Sequence, residues 1–145
     1  MKWFFALNES SPSWVEDVKL TKVAVYTALQ NTSLEPFCVY DGSENALTDW
    51  LRSQGVKVIH HRTCHYDKLA ALGDRHLQIG AGSFLSVEVP KVAEKIGLEE
   101  PLLLTDIAVM FMKNVVEYLQ EVKFDYLAVA RDSENQINSQ LLLLQ

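Results

Sequence analysis

"PLLLTDIAVM", Pro101 to Met110, runs three leucines into a single carboxylate, Asp106, after which apolar residues resume. An uninterrupted apolar run closed by Thr105 reads as a strand covered on both faces, the pattern of a central strand in a parallel sheet. Burying an ionised carboxylate without a partner costs at least several kcal/mol. Asp106 therefore belongs at the strand's mouth, either as a turn residue or as a group with chemistry to do.

Outward from this stretch, strand-like and helix-like segments alternate. An opening strand, Trp3 to Leu7, leads through "NESSPSW" into an amphipathic stretch in which Leu20, Val23, Ala24 and Thr27 recur at helical spacing toward Asn31. "EPFCVYDG" holds a compact apolar run from Phe37 to Tyr40, closed by Asp41-Gly42. Ser43 then stands as the cap of a helix whose Ala46, Leu47, Trp50 and Leu51 share one face before Gly55. Val56 to Ile59 makes a third strand. After "GDRHLQIGAG", read as a loop, a helix from about Ser83 carries Leu85, Val89, Val92, Ala93 and Ile96 up to Gly97. Beyond the Leu102 strand, "FDYLAVA" and the terminal "LLLLQ" read as two more strands separated by "RDSENQINSQ". Such alternation implies right-handed crossovers between parallel strands. The expected fold class is α/β, a three-layer α/β/α sandwich with a mostly parallel sheet in one domain, residues 1–145.

Composition narrows the function classes. A net charge of -6 on 145 residues, with only 13 Lys and Arg, offers no basic patch for nucleic acid or an anionic membrane. No apolar stretch reaches the ~18 residues of a membrane span, and the short N-terminal run has neither the length nor the cleavage site of a signal peptide. Cys38 and Cys64 lack CxxC spacing, which fits a reduced, cytoplasmic protein with two ordinary thiols.

In open α/β sheets, ligands bind where loops leave the carboxyl ends of the strands. Those ends carry Asn8-Glu9, Asp41-Gly42, His60-His61 and Thr105-Asp106, so polar groups gather on one edge of an apolar sheet. The same polarity marks any strand-to-loop transition, and both readings stand at this point.

The order of these motifs resembles the nucleotide-diphospho-sugar transferases of the GT-A fold, in particular the family 8 type of glycosyltransferase, over nearly the whole chain. "VYTALQNTS" at Val25 to Ser33 takes the place of the family's first helix and turn, and "FCVYDG" that of its strand ending in an acidic residue. "SVEVPKV" at Ser86 to Val92 resembles the family's "R..iP.l" helix, "PLLLTDIAVMF" its "vLYLDaDvlf" strand, and "INSQLLLLQ" its "fNsGvlli" motif. The resemblance implies a GT-A-like domain that binds a nucleotide sugar, of uridine diphosphate type, as the donor for glycosyl transfer. Its contacts would be Ala6, Leu7, Asn8, Asp41, Ser86 and the turn of Thr105, Asp106, Ile107 and Ala108. Asp106 would be the first carboxylate of a D-x-D pair holding manganese or magnesium, since hard cations take oxygen ligands and neutralise a leaving diphosphate. Three positions depart from the family pattern. Ala108 stands where the second Asp would be, Ser86 where a basic residue would be, and Gln140 where a Gly would be. The family's acceptor-binding half would follow Gln145, so the expectation is a nucleotide-binding half without it, either a piece of a longer protein or a reduced relative that has lost transfer.

Two further constellations compete for attention. "HHRTCHYD" gathers His60, His61, Cys64, His65 and Asp67 in a zinc-like composition. Its spacing matches no common structural zinc pattern, adjacent histidines at a strand end point to opposite faces, and no group that would orient a Cys-His pair is evident. The expectation is no metal there. Gly73, Gly80 and Gly82 lack the G-x-G-x-x-G fingerprint of a phosphate cradle and read as a mobile loop beside the site.

Three functional readings follow: the nucleotide-sugar domain; a non-catalytic relative serving as an interaction or assembly module, which Ala108 and Ser86 favour; and an unrelated doubly wound domain whose acidic strand ends bind a metal and a phosphorylated ligand. An unpaired terminal "LLLLQ" strand would be an adhesive edge, which points to a second copy of the chain or to a missing continuation.

Overall fold

The computed structural model describes residues 1–98, 100–131 and 137–144, of which 129–131 and 137–141 are described as backbone. In chain order the elements are β1 (Lys2–Asn8), α1 (Trp14–Asn31), β2 (Glu35–Asp41), α2 (Ala46–Ser53), β3 (Lys57–His60), α3 (Tyr66–Ala71), α4 (Asp74–Val87), α5 (Val89–Lys95), β4 (Leu102–Thr105), α6 (Val116–Gln120), β5 (Leu127–Arg131) and β6 (Ile137–Leu144). The strands form one sheet in the order β3-β2-β1-β4-β6-β5. The first four in that order run parallel, and β6 returns antiparallel to both β4 and β5. None of the described helices is long and apolar enough to cross a membrane.

The strands are apolar at consecutive positions because both faces are covered, so neighbouring side chains serve different cores. On one face Trp3, Phe5 and Leu7 pack with Ala24, Val25 and Ala28 of α1 and with Leu47 and Leu51 of α2. On the other, Phe4, Phe37 and Val39 meet Leu85, Val89, Val92 and Ala93 of α4 and α5. β4 obeys the same alternation, with Leu103 in the first core and Leu102 and Leu104 in the second. The α/β/α expectation holds, including the central, doubly covered position of the Leu102 strand.

Several local expectations are corrected. The buried face of α1 is Thr21, Ala24, Val25 and Ala28, whereas Val23, expected inside, is exposed. Asn45 rather than Ser43 caps α2: its Oδ1 accepts from the Leu47 and Thr48 amides, and Thr48 Oγ1 accepts from the Asn45 amide. "GDRHLQIGAG" is the first part of helix α4, which begins at Asp74 and not near Ser83. Its glycines answer to packing: a Cβ on Gly80 would lie 2.7 Å from Leu69 Cδ2 of α3, so the missing side chain lets the two helices approach. Gly73, at φ +105°, sits ahead of the helix in a conformation that favours glycine. The terminal strand is longer than "LLLLQ", beginning at Ile137, and Gln145 lies outside the described residues. It is not an edge, because β6 pairs with β4 on one side (Leu103 to Leu143) and β5 on the other (Ala128 to Leu143). The reason for expecting a second copy there is thereby removed.

Leu103 is wholly buried at the centre of the sheet. Leu103→Ala removes its packing and leaves a cavity, so urea titration is expected to show a loss of about 2–5 kcal/mol with an unchanged slope.

Candidate functional site

β1, β2 and β3 finish nearly level, while β4 ends earlier, at Thr105. Asn8 of β1 stands in register with Asp41 of β2, and Tyr40 with His60 of β3. β4 joins β1 with Phe4 beside Leu104, so Thr105 and Asp106 emerge from the same edge. This carboxyl edge is where the sequence places its polar strand ends, and the structure builds three clefts along it.

The first cleft, of about 290 Å³, lies at the end of β1 and brings together Ala6, Leu7, Asn8 and Ile107, with Gly82 and Ser83 of α4 forming the opposite wall. Gly82 leaves ordinary room on that wall, since a Cβ there would meet Asn8 Cβ at 3.7 Å, van der Waals contact. Asn8 is nearly buried, and its Oδ1 accepts from the Ser10 amide at 2.8 Å, fixing the turn that leaves β1. A second cleft, of about 370 Å³, joins Ser86 to Thr105 and Asp106 over an apolar floor of Leu104, Leu142 and Leu144. Asp41 belongs to a third, of about 350 Å³, beside His60, His61 and Arg62. Ala108 faces a separate hollow with Val109 and Phe111. The expected contact residues thus share one edge of the sheet without converging on one pocket.

A buried relay fixes Thr105 and Asp106. The Trp3 indole Nε1 donates to Thr105 Oγ1 at 2.9 Å, and that hydroxyl donates to the Asp106 carbonyl at 2.7 Å. Asp106 Oδ1 accepts from the Ala108 amide at 3.0 Å, an Asx turn that reverses the chain out of β4. Half-burial makes ionisation of the Asp106 carboxyl less favourable and pushes its pKa up, against the smaller opposing effect of the Ala108 amide. Asp41 is held differently, with Arg62 Nε 3.4 Å from its Oδ1 and the Arg62 guanidinium over the Tyr66 ring.

The divalent-metal expectation can be tested on this geometry. Ala108 contributes an amide to Asp106 and has no ligand atom of its own. Among the described residues, the cluster of three metal-ligating side chains does not include Asp106. One carboxylate that already spends an oxygen on its own turn does not make a manganese or magnesium site, which needs several oxygen ligands.

Sequence reasoning missed Glu88, at the junction of α4 and α5. It lies 24 residues from Cys64, yet its Oε1 accepts from the Thr63 hydroxyl at 2.9 Å and from the Cys64 amide and thiol, each at 3.1 Å. Its Oε2 is 2.6 Å from His61 Nε2. Burial alone would push this carboxyl up, but donors from Cys64, His61 and Thr63 outweigh it and hold Glu88 at about 2. The one signal in the sequence was a Glu directly before the Val89-Pro90 helix start.

No protein-family model matches the sequence, and no curated protein does. Solved structures do share its fold. The chain aligns over 99% of its length with the galactosyltransferase LgtC in complex with donor and acceptor sugar analogs, at a TM-score of 0.65, 17% identity and 57% coverage of that protein. It aligns over 99% of its length with the apo form of the glycosyltransferase GlyE of Streptococcus pneumoniae TIGR4, at a TM-score of 0.60, 14% identity and 33% coverage. The chain therefore has the GT-A fold of these glycosyltransferases and spans little more than half the length of LgtC.

Two outcomes test the site's construction. Thr105→Val leaves the buried Trp3 N–H without its acceptor and should lower stability by about 1–3 kcal/mol in denaturant titrations, more than a surface Thr→Val change would. Because the folded state raises the Asp106 pKa, its charge is a cost that is absent below the ordinary carboxylate value of 3.8 and fully present above the raised one. Asp106→Asn should accordingly raise the unfolding midpoint at pH 7, with the gain vanishing as the pH falls below that range.

Proposed function

We propose that this domain binds a nucleotide sugar, of the uridine diphosphate type, as a glycosyltransferase-like donor-holding unit. The observation that carries this reading is the shared carboxyl edge of β1, β2 and β4, which sets Asn8, Asp41 and Asp106 along neighbouring clefts on a GT-A fold. LgtC, with the same fold, is a galactosyltransferase known with donor and acceptor sugar analogs bound. The chemistry of the edge suits such a ligand. The wall of Ala6, Leu7 and Ile107 offers apolar contact for a base, while Asn8 and the half-buried Asp106 offer acceptors for ribose and sugar hydroxyls.

Binding here is a matter of shape and hydroxyl recognition, without a metal clamp on the diphosphate. Ser86 beside Asp106 brings a hydroxyl, where a basic side chain would have neutralised phosphate charge. Glycosyl transfer would draw on ligating groups that the described residues do not set beside Asp106. The single carboxylate and Ala108 also favour the second reading, a non-catalytic relative that serves as an interaction or assembly module.

Thermal unfolding with uridine diphosphate separates the two. At about 100 times its dissociation constant the ligand should add roughly 2.7 kcal/mol, and the shift should be equal with manganese and with a chelator. Asp106→Ala should weaken binding about tenfold, equivalent to ~1.4 kcal/mol. No shift at millimolar ligand would overturn donor binding and leave the interaction module.

A further inference from the structure

We propose that Cys64, His65 and Glu88 form a zinc-binding site that ties the loop after β3 to the junction of α4 and α5. The ligand atoms of these three side chains lie within 4.8 Å of one another. Tetrahedral zinc, with bonds of about 2.0–2.3 Å, spaces its ligands by roughly 3.5 Å, so a small inward rotation of the side chains closes the set. The Glu88–Cys64 edge is already tighter than that, at 3.1 Å.

The surroundings are those of a built site. The Glu88 side chain is only 11% exposed and is fixed from both oxygens, by His61 on Oε2 and by Thr63 and the Cys64 amide on Oε1. His61 is itself anchored through its backbone amide, which donates to the Tyr40 carbonyl at 2.9 Å. It thus stands as the outer partner that orients a ligating carboxylate, a role that commonly accounts for 10–100-fold in metal affinity. The His65 ring lies against Phe84 of α4 at 4.5 Å between centroids, which limits its rotamers while leaving a ring nitrogen to ligate. The Cys64 thiol now donates to Glu88; on metal binding the zinc takes the place of that proton, which passes to solvent as the S–Zn bond forms. Thiolate and imidazole are ligands for zinc rather than for magnesium or manganese, and three protein ligands leave the fourth position to water. The cluster that showed no zinc spacing in the sequence drew all its groups from His60 to Asp67; the carboxylate that completes this set, Glu88, comes from a different part of the chain.

Titration of the full chain with cobalt, followed by displacement with zinc, tests this. The expected result is one equivalent of cobalt bound at micromolar concentration, a thiolate-to-cobalt charge-transfer band in the near ultraviolet, and its loss on adding one equivalent of zinc. Cys38 cannot supply the band, being wholly buried in the core with its thiol pKa pushed up by burial. Cys64→Ser should abolish the band, and because Cys64 is exposed the variant should unfold at the same temperature as the parent without metal. His65→Gln should weaken zinc binding at least tenfold, and His61→Gln about 10–100-fold. Asp106→Asn should leave the band intact. Absence of the band, its survival in Cys64→Ser, or its loss in Asp106→Asn would each overturn the site.

Discussion

A strand covered on both faces can be polar only where it ends, and the rest of this structure depends on that constraint. β1 sits between β2 and β4, and its Trp3, Phe4 and Phe5 are essentially inaccessible to water. With the middle of the sheet closed to charge, its hydrogen-bonding and ionisable groups are displaced to the edge, and the parallel register of β1, β2 and β3 makes that edge coherent. The buried bond from the Trp3 indole to Thr105 satisfies a donor that would otherwise be stranded and sets the backbone from which Asp106 departs.

The sequence carries the layers because the relevant signals are local. Leu102 to Leu104 declare a doubly covered strand, and Gly55 and Gly97, both at positive φ, mark helix ends. Where the reading failed, the deciding contact was distant or ambiguous. Gly80 looks like a loop residue until Leu69 is seen lying against it. Asn45 and Ser43 are both good capping residues, and distant Glu9 holds the segment that contains them, its Oε2 accepting from the Ser43 amide and its Oε1 from Asn45 Nδ2. β6 reads as an edge because nothing in its leucines says that β5 will flank it.

The candidate site was legible as a place more than as a pocket. Strand-end polarity located Asn8, Asp41 and Asp106 on one edge, since that follows from alternation and handedness. Their distribution over adjacent clefts was not legible, because it depends on how α4 leans over β1. Glu88 was invisible for a related reason: its partners Thr63 and Cys64 lie more than twenty residues away, and the bend between α4 and α5 turns it toward them.

The strand order has a kinetic side. β1, β2 and β3 are laid down consecutively, each beside its predecessor, whereas the Trp3–Thr105 bond joins residues 102 apart. Closing so long a segment carries a larger entropy cost than pairing neighbours, so the outer half of the sheet has a head start over the inner seam. Until β4 docks, β1 exposes a flank of unpaired amides and aromatic rings. The seam that joins the most distant segments is thus also the one that carries the Asp106 turn, and a chain caught before that seam closes would offer a strand edge to its neighbours in place of a binding edge to its ligand.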